Sequence, residues 1–284
     1  MTTPAAPTPT QTSGQTLGNL LALRQRTGDT TVTFTAGEDW GQGRTLFGGL
    51  LSALSVAAMR DVFGSDWPLR ALQTSFVGPV AFGAFEVKVH LLRQGKHVRQ
   101  VQAHVVQTDE AGQEVIAGVL LAVFGNERES TLPLLTLHQP PVEKAPLELP
   151  ALPFIPGLTP NFTQHLDFRL AEGAYPYTGA DSWNTRTHIQ LKDSAGVDTE
   201  LLSIMLADAG PTPALAQLKK PSPASSVSWA LELRPVVGAD PKAYWRMDKD
   251  ALAAGAGYVN ERTTLWTPDG QLAALGYQVV AVYG

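Results

Sequence analysis

Asp208 is the residue whose type and place first suggest chemistry. It closes the run Leu201-Leu202-Ser203-Ile204-Met205-Leu206-Ala207-Asp208, and on a helix Leu201, Ile204 and Met205 share its face. A carboxylate on an apolar face must be paired, hydrogen-bonded or protonated, because burying a bare charge is costly. Such a group suits a base or a water-orienting acid. The structural alternative is a last-turn residue that swings into solvent, since Gly210-Pro211 stops the helix at once. Gln278 poses the same question. It lies between Tyr277 and Val279 in a strongly apolar strand, and its amide can both accept from a water and donate to an oxygen. A strand-edge Gln facing solvent is the alternative. Ser225, Ser226 and Ser228 offer hydroxyls nearby in the pattern, although Thr74-Ser75 holds a similar place earlier in the chain. Gly48-Gly49 precedes an apolar helix, where two glycines allow close approach and free N–H groups carry partial positive charge. Close packing of the helix start explains the same pair.

Other chemistries lack their residues. The 284 residues include no cysteine, which removes thiolate nucleophiles, disulfides and Cys-ligated zinc. The six histidines have no metal-ligand spacing, so no metal and no cofactor are expected. No Gly-x-Ser-x-Gly elbow occurs, which disfavours a serine nucleophile on a hydrolase sheet. Walker A is absent, and Gly41-x-Gly43-x-x-Leu46 fails the dinucleotide fingerprint at its last position. Net charge is −5 without a long basic run, against a nucleic-acid partner. The turn basics Arg93, Lys96 and Arg99 could meet phosphates, but an exposed basic turn is more often only solvated. The apolar run 115–125 is too short for the ~20 residues of a membrane-spanning helix. With no basic and apolar leader at the start, a cytoplasmic location is the expectation.

The elements that must position these residues come in two sets. Residues 1–16, rich in Pro, Thr, Ala and Gln, read as a disordered tail. Residues 131–160 hold eight prolines and read as a linker between halves spanning 17–130 and 161–284. Leu50-Leu51-Ser52 recurs as Leu201-Leu202-Ser203, an offset of 151. The closing strands Leu120–Gly125 and Val279–Gly284 align at an offset of 158 to 159. Each half then shows one buried helix (50–62, 200–208) followed by strands. These are expected at 71–76, 84–93, 98–107 and 115–124, and at 225–233, 243–247, 256–266 and 272–283. A buried helix wrapped by an antiparallel sheet is an α+β arrangement, here in tandem. At an offset of 151 the counterpart of Asp208 is Ala57, and that of Gln278 is Val119 or Leu120. Both asymmetries place polar groups in the second copy only.

With those residues in view, the chain resembles the acyl-CoA thioesterase II family with its double-hotdog fold. The resemblance covers roughly residues 30–284 outside the linker. It rests on Arg44-Thr45-Leu46-Phe47-Gly48-Gly49, Ser75-Phe76-x-Gly78-Pro79, the Asp208 helix, the Ser226-Val227-Ser228 strand and the strand carrying Gln278. It implies hydrolysis of acyl-CoA to free acid and CoA. The attacking water would be held by Asp208, by Ser226 or Ser228 (Ser standing where Thr is commoner), and by Gln278. Phe47, Gly48, Gly49 and Ser75 would meet the substrate, with the Gly48-Gly49 helix start facing Asp208 across the two halves. Pairing into homo-oligomers is common in that family. A non-catalytic acyl-CoA or acyl-carrier binding module is the alternative. A hotdog hydratase or dehydratase is weaker, since no His follows Asp208-Ala209-Gly210-Pro211.

Overall fold

The computed structural model describes residues 14–64 and 66–283, so most of the tail expected at 1–16 lies outside the described residues. The first half runs α1 (Leu17–Leu23), β1 (Gln25–Arg26), β2 (Thr31–Ala36), β3 (Gly41–Gln42), β4 (Thr45–Leu46), α2 (Gly48–Phe63), β5 (Leu69–Phe76), β6 (Gly83–Gln94), β7 (Val98–Thr108) and β8 (Glu114–Gly125). The second runs β9 (Leu166–Gly173), β10 (Asn184–Leu191), α3 (Thr199–Asp208), β11 (Ala224–Leu233), β12 (Trp245–Gly255), β13 (Tyr258–Trp266) and β14 (Leu272–Val282). Both helices fall where the apolar runs predict them. Every residue of α2 from Gly49 to Met59 is buried, so it forms a core helix without a polar face. The Asp198 carboxylate caps α3 by accepting from the Leu201 N–H at 2.8 Å.

Twelve strands form one sheet in the order β1-β2-β6-β7-β8-β5-β11-β14-β13-β12-β10-β9, every pairing antiparallel. The order β2-β6-β7-β8-β5 of the first half is mirrored by β10-β12-β13-β14-β11 in the second. The halves join where β5 pairs β11, with Leu72 opposite Leu231 and Ser75 opposite Ser228. Inward-facing residues such as Val87, Val89, Val101, Ala103, Trp229 and Leu231 alternate with wetter neighbours and pack on the helices.

The two helices lie antiparallel. At one end, the Arg60 guanidinium of α2 grips the Glu200 carboxylate of α3, whose Oε2 also accepts from the Leu69 N–H at 2.9 Å. At the other end, Gly49 of α2 meets the last turn of α3: a Cβ there would lie 2.9 Å from the Met205 carbonyl oxygen.

The strand that carries most charge differs from expectation. β12 continues to Gly255 rather than ending at Met247, because Asp248, Lys249 and Asp250 find ionic partners instead of forming a turn. The true turn is Ala256-Gly257, both at positive φ, which suits a tight hairpin. Strands β2, β9 and β10, ahead of the helices, were not evident in the pattern.

Matching irregularities fix the correspondence between the halves. β5 is bulged between Leu69 and Ala71, and β11 between Ser226 and Ser228. β6 is bulged between Leu91 and Arg93, and β12 between Ala251 and Ala253. With these aligned, Leu72 opposite Ala122 corresponds to Trp229 opposite Gln278, an offset of 156 in the closing strand. The counterpart of Gln278 is therefore Ala122, not Val119 or Leu120, and that of Ser226 is Leu69 rather than Thr74 or Ser75. The same register relates Glu261 to Val101 and Lys249 to Val89.

The residues 146–149 of the linker lie along the second half, where Arg169 donates to the Leu149 carbonyl at 2.8 Å. Among the described residues, no helix is long and apolar enough to cross a membrane.

The helix crossing leaves no room at Gly49. The substitution Gly49→Ala is expected to cost about 1–3 kcal/mol through overpacking against the backbone of α3. In thermal unfolding that is a fall in Tm of about 2–5 °C; an unchanged Tm would show slack between the helices.

Candidate active site

Three side chains from three elements converge at the C-terminal end of α3. Asp208 is the last residue of that helix and only 9 % exposed. Gln278 projects inward from β14 and is 5 % exposed. Its Nε2 donates to Asp208 Oδ1 at 2.9 Å and to Ser226 Oγ at 2.6 Å. A carboxylate only accepts, so the amide nitrogen must face it. Both amide hydrogens are then used, and the Ser226 hydroxyl, having accepted one of them, keeps its own proton to donate elsewhere.

The bulge in β11 decides which serine takes part. Trp229, Leu231 and Leu233 point inward, and strict alternation would send Val227 inward next. The extra residue resets the phase, so Ser226 pairs with Val280 on the inner face while Ser228 pairs with Val279 on the outer. Ser228 and its cross-strand partner Ser75 instead line a shallow depression on the outer face with Tyr277, Val279 and Asn260. Neither belongs to the constellation, which brings Ser226 and not Ser228 to Gln278. Phe47 caps the start of α2 within the core, 1 % exposed, its ring stacked on Phe162 at 4.0 Å.

The start of α2 reaches this place from the first half. The Gly49 N–H lies near the Asp208 carboxylate and favours its charged form. A Cβ on Gly48 would lie 3.0 Å from Asp208 Oδ2 and 2.8 Å from the Phe76 ring, so the glycine makes the approach possible. Asp208 thus sits at the negative end of its own helix and at the positive end of the other.

Two charges escaped the sequence reading. Lys249 of β12 and Glu261 of β13 are each 1 % exposed, and Lys249 Nζ donates to Glu261 Oε1 at 2.7 Å and to the Gly210 carbonyl at 2.9 Å. Alternation carried a signal: Lys249 follows Trp245 and Met247 on one face, and Glu261 stands between Val259 and Thr263 on another. Burial pushes the Asp208 carboxyl up to about 6, against the pull of the Lys249 cation and the Gln278 amide; Glu261 adds to the rise and the Gly49 N–H opposes it. Among the described residues no group of three His, Asp or Glu could hold a metal ion.

Family models match both halves, the acyl-CoA thioesterase N-terminal domain over residues 36–125 and its C-terminal domain over residues 146–282. The chain belongs to the acyl-CoA thioesterase family. Its fold is the double hotdog. A hot dog fold protein of unknown function from Alicyclobacillus acidocaldarius is 18% identical at a TM-score of 0.76, covering 95% of this chain and 99% of that one. A tesB protein of Mycobacterium avium subspecies paratuberculosis is 13% identical at 0.75, covering 95% and 100%. Acyl-CoA thioesterase II TesB2 of Mycobacterium marinum is 14% identical at 0.70, covering 94% and 98%. A search of curated protein sequences finds no match.

The raised Asp208 acid has a stability consequence. Its folded pKa of about 6 lies above the unfolded 3.8, so above pH 6 the folded state carries a buried charge at a cost. That cost disappears as pH falls from about 6 toward 4, where the folded state takes up a proton that the unfolded chain does not. Asp208→Asn removes the charge, and is expected to be more stable than the parent at pH 8 by roughly 2–3 kcal/mol. Denaturant titrations from pH 8 to 4 should show the gap closing; a gap independent of pH would contradict the buried ionisation.

Proposed function

We propose that this thioesterase-family chain hydrolyses acyl-CoA, and that Asp208, Ser226 and Gln278 hold the attacking water. The observation that carries this reading is the hydrogen-bonded chain Asp208–Gln278–Ser226 set against a helix start. A buried carboxylate titrating near 6 is ionised at neutral pH, yet basic enough to take a proton from a water as that water attacks. The Ser226 proton, left free by its bond from Gln278, fixes a lone pair of the same water. The water oxygen forms a bond to the thioester carbonyl carbon, and the carbonyl becomes an oxyanion. N–H groups at the positive end of α2, at Gly48-Gly49, would receive that charge. Collapse breaks the carbon–sulfur bond, and the proton held on Asp208 passes to the departing CoA thiolate. Free acid and CoA result, with no covalent enzyme intermediate. Lipid metabolism in the cytoplasm is the setting this reading suggests.

Thiol release from acyl-CoA substrates of graded chain length is the test. Asp208→Asn is expected to lose about 10²–10⁴-fold in kcat, and Ser226→Ala or Gln278→Ala smaller amounts that combine non-additively because the three act as a unit. Ser228→Ala should change little. In the unmodified chain kcat/KM should fall below pH 6 as Asp208 protonates. Tight binding of acyl-CoA with no thiol released at any chain length would instead mark a binding module.

A further inference from the structure

Resting on that reading of Asp208, we infer that Lys249 and Glu261 are positioning residues of the same site, a buried pair that fixes the end of α3 and sets the charge around Asp208. Geometry places them there. Lys249 Nζ bridges two elements: it donates to Glu261 on the neighbouring strand and to the carbonyl of Gly210, two residues beyond Asp208. The lysine therefore pins the turn that ends the helix. Glu261 lies directly opposite Gln278 across the β13–β14 pairing, on the same inner face. One backbone row thus carries the amide that touches Asp208 and the acid that holds the lysine.

The fold does not call for this pair. In the first half the corresponding positions are Val89 and Val101, both fully buried, and the matching strands make the same bulge and the same register. A buried ion pair is no better for stability than well-packed apolar groups of similar size, and is often worse. This one carries an additional penalty, since Glu261 Oε2 is buried without a hydrogen-bond partner among the described residues. The five polar residues at this end of the second half (Asp208, Ser226, Lys249, Glu261 and Gln278) replace Ala57, Leu69, Val89, Val101 and Ala122, all buried. The pair is set apart together with the three residues assigned to the water, so its placement follows the site rather than the scaffold. The groups facing Asp208 from the packed elements are Lys249 from β12, Glu261 from β13, Gln278 from β14 and the Gly49 N–H from α2.

The two members should act with opposite sign. Removing the cation in Lys249→Met leaves Asp208 beside an unpaired acid, and the acid limb of kcat/KM is expected to move up by a pH unit or more. Glu261→Gln leaves the bond to Gly210 available and frees the cation to face Asp208, so the limb should move down. In Lys249→Val with Glu261→Val, which copies the first half, the limb should rise less than in Lys249→Met. A purely structural pair would lower Tm or the plateau rate and leave the limb where it was. If Lys249→Met does not fold, the downward shift in Glu261→Gln decides the matter. The titration of Asp208 can also be read without turnover, as the pH at which the stability gap between each chain and its Asp208→Asn derivative opens. Shifts in that midpoint support the pair even if the unmodified chain releases no thiol, in which case only the hydrolytic reading fails. Midpoints and limbs unmoved in every folded variant would overturn the inference.

Discussion

The site depends on keeping a carboxylate dry at the crossing of two helices. Asp208 is buried where the end of α3 meets the start of α2, and its charge is tolerated because several weak donors surround it. An amide from the sheet, a backbone N–H from the opposing helix and a lysine one strand further each oppose the penalty of burial. None of them is a salt bridge made directly to Asp208, which leaves its carboxyl above the ordinary carboxylate range. A tighter partner, such as an arginine in bidentate contact, would hold the acid well below the range in which it titrates here. The glycines at the helix start belong to the same constraint, since any side chain at Gly48 or Gly49 would push the two helices, and the acid with them, apart.

Much of the architecture was legible in the chain because apolar patterning is a local signal. Two all-round apolar stretches became α2 and α3 at nearly their expected bounds, and the strands after each helix alternated well enough to be placed. The strands before the helices were lost because they are short or carry charged and polar residues on partly covered faces, as β10 does with Arg186, His188 and Gln190. The early end given to β12 has a related cause. A Met-Asp-Lys-Asp sequence looks like a turn when its partners, on β10 and β13 in sequence-distant places, are unseen.

For the site, the acid and the amide were visible as polar residues in apolar surroundings, and the doubling of the chain showed which copy held them. What sequence could not decide was phase. The extra residue at Val227 turns Ser226 inward and Ser228 outward, and bulges leave no local mark in this stretch. The same uncertainty misaligned the closing strands, so that Ala122 was missed as the counterpart of Gln278. Lys249 and Glu261 give a weaker signal, because charged residues on strands are usually solvated and the partners that bury this pair, such as the Gly210 carbonyl, are distant in sequence.

The gripping of Glu200 by Arg60 has a consequence for the molecule as a whole. These residues occupy the mirror-related place, where α3 begins against the end of α2. The room that glycines leave at one end is taken up at the other by a carboxylate, a guanidinium and the backbone of Leu69. Two separate identical chains would have to build both ends alike. A single polypeptide carries no such obligation, so one seam is riveted by an ion pair while its twin holds the buried acid.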